Sequence, residues 1–419
     1  MKKEEYKIYI VGAGISGLIA ARVLEENGFC PTIIEATDQV GGRVKTDTID
    51  GYQLDHGFQV LLTAYPAVQK YLNSADLDLQ YLLPGATIFK NGVQKTLGDP
   101  LRAISLLFPT LFSGIGSLSD KIKILKLNLL LKKTNLDVIF AKPEKTTLQY
   151  LKDFGFSDEI ITTFFKPFFA GIFLEPSLQT SSRMFEFVYK MFGEGSAALP
   201  KAGMEVIPIQ IKANLKQTAF LFNTKVSSVQ DGKITLENGE VLNSDYVILA
   251  TEKNDLIKND LDNKVDWKSC ETFYFVTEKA VLSRPIIGLV ADKDALVNNI
   301  FYHTSVATKS SGAKDLLSVT VVKDHGLTSE NLRIQVEEEL KQYCGINDLR
   351  FIKQYSIIKA LPNLENLKYE MEPLETMLSK GIFVAGDTLL NGSLNAAMIS
   401  GERAALGVVQ AILNDVNEL

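Results

Sequence analysis

Gly12, Gly14 and Gly17 fall in the run Gly-Ala-Gly-Ile-Ser-Gly, directly after the apolar stretch 6–11 and at the start of a helical pattern over 15–27. A second apolar run ends in Glu35. Strand, glycine turn, helix, strand and acid in this order suit a dinucleotide cradle. Gly12 permits the tight turn, Gly14 lets backbone approach a pyrophosphate, and Gly17 lets the helix lie close on the sheet. Ile15 and Ser16 open that helix, whose unpaired amides and positive end attract phosphate. Glu35 would accept both ribose hydroxyls, and its charge repels a 2′-phosphate, which argues against NADP in this place.

Two further motifs extend the chemistry. Val40-Gly41-Gly42-Arg43-Val44 suits a loop over the same pyrophosphate, with Arg43 donating charge-assisted hydrogen bonds. Far along the chain, residues 381–387 read as a buried strand ending in Gly386-Asp387, and 391–405 as a turn into a small-residue helix. Asp387 is placed to hold a ribityl hydroxyl. The helix start after Ser393 is placed to offer amides to the electron-rich edge of a reduced flavin.

On these three motifs the chain resembles the flavin amine oxidase, protoporphyrinogen oxidase and phytoene desaturase superfamily. The resemblance implies an α/β fold: a Rossmann-like FAD-binding domain of the glutathione-reductase type, with a discontinuous α+β substrate domain of mixed sheet plus helices. It implies an FAD domain over 1–83, 199–265 and 375–419, and a substrate domain over 84–198 and 266–374. Leu54-Asp55-His56-Gly57-Phe58 resembles the stretch that brings a glycine to the isoalloxazine ring. Residues 199–204 resemble the re-entry into the FAD domain. The hairpin 223–251, turning at Asn238-Gly239, resembles the one whose Val226-like residue meets adenine through its backbone. The implied cofactor set is Gly12, Gly14, Ile15, Ser16, Gly17, Glu35, Ala36, Gly41, Gly42, Arg43, Gly57, Phe58, Val226, Ala250, Thr251, Gly386, Asp387, Ser393, Leu394 and Asn395. FAD is expected to be held without a covalent link, since no cysteine follows Cys344.

The remaining composition narrows the partners. At 419 residues the chain suits two domains. A net charge of −6, with no basic tail, gives no support to nucleic-acid binding. Cys30, Cys270 and Cys344 form no CxxC pair, so neither a redox dithiol nor a disulfide framework is expected. The three histidines, His56, His303 and His325, make no metal pattern. The first residues run straight into a strand without a signal core, and a cytoplasmic location is expected. Oligomeric state is not encoded legibly.

The middle of the chain is apolar and helical, and two of its segments have double readings. Residues 103–118 carry no charge but are too short, and too interrupted by Pro109, Gly114 and Gly116, to span a bilayer. Residues 120–133 mix five lysines with Ile and Leu, and the lysines do not gather on one face. The first reading is substrate-domain helices with snorkelling lysines. The second is peripheral membrane contact. The aromatic run 164–173 either walls a pocket for a large flat or polyene-like molecule or is plain core. Strands are expected over 86–97, as a pair, and over 272–276, 299–302, 317–322 and 351–358, with helices over 207–215 and 329–343.

The superfamily places the difficult step on the flavin, so little acid–base machinery is needed. His56 and Gln59 flank the glycine expected near the ring, as substrate contacts or as structural hydrogen-bonding residues. Amine oxidases of the superfamily carry a Gly-Tyr pair on the last helix, the tyrosine forming half an aromatic cage. Gly392-Ser393 stands there in this chain, and no aromatic residue follows Phe383. The leading expectation is therefore an FAD-dependent dehydrogenase, desaturase or oxidase acting on a bulky hydrophobic molecule such as a tetrapyrrole, carotenoid or isoprenoid. The alternatives are a flavin amine oxidase, and a redox-neutral isomerase or non-catalytic flavoprotein.

Overall fold

The computed structural model describes residues 2–99, 102–230, 232–252, 256–257 and 265–417. Ile8–Val11 becomes a central strand because both its faces are covered: Ile8 and Ile10 point one way and Val11 the other, all buried. It pairs in parallel with Thr32–Ile34 on one side and Tyr246–Leu249 on the other. Ala219–Leu221 and Ile382–Val384 extend the sheet in parallel, and Met377–Ser379 closes one edge antiparallel. Four separated parts of the sequence therefore share six strands.

The helix Ile15–Glu26 packs on this sheet against the C-terminal helix Leu394–Asn417. Small residues set how close they come. A Cβ on Gly401 would lie 2.2 Å from the Ser16 carbonyl oxygen. The stretch Leu394–Asn414 is long and apolar enough to cross a membrane, but 56% of it is buried inside the protein, with Ala396, Ala404, Ala405 and Val408 fully enclosed.

A second sheet has seven strands, in the order 350–363, 266–277, 315–321, 297–302, 287–290, 85–90 and 93–98. The expected strands are all present, but longer than their alternation suggests: 272–276 is the middle of a twelve-residue strand, Asp266–Thr277. Ile287–Val290 was not expected. It runs parallel to Gly85–Lys90 and joins the early strand pair to the late strands in one sheet. The helix Ser329–Cys344 covers one face, burying Leu332, Val336 and Leu340, which recur every four residues.

A helical layer over 104–194 packs against the seven-stranded sheet, Lys166–Phe173 lying on Val297–Tyr302 and Ile287–Val290. Its breaks follow from capping residues. Ser117 accepts the amide of Asp120, whose carboxylate accepts that of Ser117, and Thr146 and Ser157 start the next helices in the same way. The expected hairpin 223–251 is a three-stranded meander, Val226–Gln230, Lys233–Leu236 and Val241–Asn243, leading into the sheet strand Tyr246–Leu249. Its second turn does fall at Asn238-Gly239, with Gly239 at φ +87°.

Candidate functional site

One cavity of about 1290 Å³ starts at the glycine turn and runs between the two sheets into the helical layer. That exceeds the roughly 300–1,000 Å³ of a cleft for a single small ligand. Its inner end is a nucleotide cradle. Gly12 has φ +105°, and a Cβ there would sit 2.9 Å from the Ala250 carbonyl oxygen. A Cβ on Gly17 would lie 2.0 Å from the Gly12 carbonyl oxygen, so both glycines are required by packing. Gly14 differs. A Cβ there would meet nothing within 4 Å and would project into the cavity, so the missing side chain is space left for a ligand.

The Gly41-Gly42 loop lies directly over that space. The Gly41 amide donates to the Ala13 carbonyl at 3.0 Å, and a Cβ on Gly42 would lie 3.3 Å from the Gly14 Cα. Glu35 is held at the end of its strand by the Ala13 amide at 2.8 Å and by the Thr37 amide and hydroxyl at 2.9 and 2.8 Å. Those three bonds leave acceptor capacity on the carboxylate for ribose hydroxyls. Open amides at the start of Ile15–Glu26, a fixed acid and a side-chain-free turn fit an adenine dinucleotide.

Arg43 and Asp387, assigned from sequence to separate parts of the cofactor, form an ion pair with each other. Arg43 also stacks on Trp267, its guanidinium carbon 5.1 Å from the ring centroid. Arg43 is half exposed and Asp387 buried, so the pair lies at the solvent edge of the cavity. Ser393 caps the last helix, accepting the Ala396 amide at 3.0 Å and donating to Asn391 at 2.6 Å, and Ser393 and Leu394 line the cavity.

Four residues of the expected cofactor set lie off the cavity lining. Gly17 is enclosed between helix and strand. Ala36 is exposed on the outer side of Glu35. The Val226 side chain is buried in a cluster with Val11, Ile34 and Leu249. Asn395 is fully buried and accepts the Ala67 amide at 3.0 Å, tying the last helix to Pro66–Tyr71 instead of facing a ring. Ile15, Ser16, Gly57, Phe58, Ala250, Thr251 and Gly386 do line the cavity.

His56 and Gln59 line it too, and both lie against protein groups. His56 Nε2 lies 3.0 Å from Asp47 Oδ2, and its ring packs tilted against Tyr355, with centroids 4.5 Å apart. Tyr355 donates to the same carboxylate at 2.6 Å. Burial pushes Asp47 up, but the hydrogen bonds from Tyr355 and His56 outweigh it and hold its pKa below the usual carboxylate value. The Gln59 amide donates to the carbonyls of His56 and Arg43 at 3.0 and 3.3 Å. Next to them, burial pushes Asp55 up to about 6, against the Thr46 hydroxyl and Met204 amide it accepts.

The far half of the cavity is apolar. Phe164, Phe168, Phe169, Ile172, Val188, Tyr189 and Phe192 form one wall. The aromatic run divides between its two readings, because Phe165 and Phe173 are buried core. A π-helical turn over Ile161–Phe165 precedes the α-helix Lys166–Phe173. The opposite wall comes from the seven-stranded sheet, with Cys270, Asn299, Thr320, Tyr355 and Ile358. Asn299 donates to Thr320 at 3.2 Å and accepts from Asn298 at 2.9 Å, so these buried polar groups are satisfied internally. Burial pushes the Cys270 thiol up to about 12, which leaves it unionised. Sequence reading missed Trp267, Tyr355, Asn299 and Thr320. The strands were visible, but which of their faces meets the cavity depends on pairing with distant strands.

Comparison with known proteins agrees with this geometry. The family model described as flavin containing amine oxidoreductase matches residues 15–409. A chloroplastic/mitochondrial protoporphyrinogen oxidase 2 of Arabidopsis thaliana is 30% identical over 169 residues, 39% of this chain and 32% of that protein. An L-amino-acid oxidase of Trimeresurus stejnegeri is 31% identical over 154 residues, 34% of this chain and 30% of that protein. The matched region thus spans about a third of the curated relatives' length. Among solved structures, an oxidoreductase from Methanosarcina mazei superposes with a TM-score of 0.73 at 16% identity, over 96% of this chain and 100% of that one.

Proposed function

We propose a function on the premise that the chain belongs to the flavin containing amine oxidoreductase family: it holds FAD without a covalent link and takes a hydride equivalent from a bulky, hydrophobic small molecule. The observation that carries this reading is the single cavity, cradle-like at one end and walled by aromatic and aliphatic side chains at the other. When bound, the flavin supplies the acceptor for that hydride. The protein's part is positional. Phe164, Phe168 and Ile172 hold an apolar donor and exclude water. The amides at the start of the last helix offer hydrogen-bond donors where negative charge accumulates.

The charges on the lining favour this reading over an amine or an amino acid. Glu35 is held by Ala13 and Thr37, Glu252 pairs with Lys359 at 2.5 Å, and Asp387 pairs with Arg43. A cationic amine would have to compete for each of them. Arg43 is taken by Asp387, so an amino-acid carboxylate would have to compete for it. Carotenoids and other isoprenoids fit the apolar half directly, and a tetrapyrrole fits it with its carboxylates directed to the lining cations Lys45 or Lys121.

The test is an anaerobic titration of the yellow holoprotein with porphyrinogens, carotenoid precursors, polyamines and L-amino acids. Bleaching of the flavin band by a lipophilic donor is expected. Bleaching by amines or amino acids alone would overturn the reading. Double-bond isomerisation of a donor by reduced protein, without net electron transfer, would replace it with the isomerase alternative. Acid precipitation should leave the yellow colour in the supernatant, as a non-covalent cofactor requires.

A further inference from the structure

The helix Leu118–Lys133 carries two apolar faces on opposite sides. Leu127 and Leu131 are buried against the rest of the helical layer. Leu118, Ile122, Leu125 and Leu129 are exposed, three of them by more than half: 69, 58 and 62% for Leu118, Ile122 and Leu129. At about 100° per residue, these four fall within an arc of about 60°, opposite the buried pair. Ile104 and Phe108, just before this helix, are 83 and 68% exposed. Apolar side chains clustered at this density on a surface mark an interaction site.

The charges around the stripe say what covers it. Lys132 projects to one side of it and Lys126 and Lys133 to the other, and all three are exposed. The lysines look scattered in sequence because they border an apolar stripe instead of sharing a polar face. The helix has one acid, Asp120, which faces inward and binds Ser117 and Ser157. An apolar stripe between cations complements the acyl region and headgroups of an anionic lipid layer, with the lysine stems reaching back to the headgroups. The stripe is also continuous with the cavity, since Leu118, Ile122 and Leu125 line its mouth.

We propose that this helix, together with Ile104 and Phe108, rests on an anionic lipid surface and turns the cavity mouth toward the acyl chains. The lipid contact stands apart from the choice of substrate, so the two fail separately: donors solubilised in detergent test the chemistry without any bilayer.

The experiment is co-sedimentation of the full-length holoprotein with phosphatidylcholine vesicles, with and without phosphatidylglycerol. Binding to the anionic vesicles is expected. Leu129→Glu combined with Ile104→Glu changes residues outside the cavity lining and is expected to weaken binding at least about tenfold, with flavin content and melting temperature retained. Lys126→Glu combined with Lys133→Glu is expected to abolish the preference for anionic over neutral vesicles. Wild-type protein remaining in the supernatant, or unchanged binding in the Leu129/Ile104 variant, overturns the proposal. A solution dimer that Leu129→Glu dissociates, without vesicle binding, overturns it in favour of a second copy of the chain.

Discussion

Gly14 and Gly17 sit three residues apart on one turn and should fail in opposite ways when given side chains. Gly14 has ordinary extended backbone at φ −71°, and its missing Cβ faces empty cavity. Gly14→Val is expected to fold normally as apoprotein yet to retain flavin at least about tenfold more weakly, read from absorbance after desalting. Gly17→Ala places a methyl group on the Gly12 carbonyl and is expected to cost about 3 kcal/mol of stability, measured by urea denaturation, whether or not flavin is present. The buried Asp55 gives a pH signature. Its folded pKa, near 6, lies above the unfolded value, so its proton is favoured in the folded state. Stability from this group is complete below about pH 4 and declines by up to about 3 kcal/mol as pH rises to 6. Asp55→Asn should flatten the stability profile across that window, and an unchanged slope would refute the assignment. Glu35 and the glycines were legible because their motif is local. Tyr355 and Trp267 were not, because nothing near them in sequence announces the cavity.

At the level of elements, the π-helical turn Ile161–Phe165 leads into two ridges: Phe164, Phe168 and Ile172 toward the cavity, and Phe165 with Phe173 in the core. Phe168→Ala is therefore expected to raise KM for a lipophilic donor about tenfold while flavin content stays constant, since its neighbours Phe164, Phe169 and Phe192 belong to the same apolar wall and not to the cradle. A fall in flavin content would place this wall in the cradle. Periodicity located the helices 207–215 and 329–343 to within two residues, as Val206–Ala213 and Ser329–Cys344, whereas the middle region read only as helical, without bounds. It under-read the strands. Asp266–Thr277 alternates clearly only near its centre, and its pairing with Arg350–Asn363 shifts register between Lys268 and Cys270. Ile287–Val290 is four residues long and contains Gly288, whose Cβ would lie 2.7 Å from Ile300. Only its neighbours make it a strand.

Across the whole molecule, specific bonds tie the seven-stranded sheet to the two-stranded hairpin of Thr46–Ile49 and Tyr52–Asp55, which follows the Gly41-Gly42 loop. Tyr274 donates to the Asp55 carbonyl at 2.8 Å, and Tyr355 reaches Asp47. A ligand seated between the sheets stabilises both by mass action, about 2.7 kcal/mol at a hundredfold excess over Kd. Holoprotein is therefore expected to melt in one transition well above the apoprotein. Two separate transitions, only one of them shifted by flavin, would contradict the shared cavity. The discontinuous architecture was available from resemblance but not from composition, because a sheet assembled from residues 8, 246 and 382 leaves no mark on any single window of sequence.

The pairing of Arg43 with Asp387 bridges 344 positions. On a translating ribosome, which adds about 5–20 residues per second, the guanidinium waits roughly 20 to 70 seconds for its carboxylate to be made. The glycine turn is made long before the helix that follows Asp387, so an emerging chain has half a binding place over that interval. Cofactor capture is therefore expected to wait until residue 387 has been made, and fragments ending before Asp387 should emerge colourless.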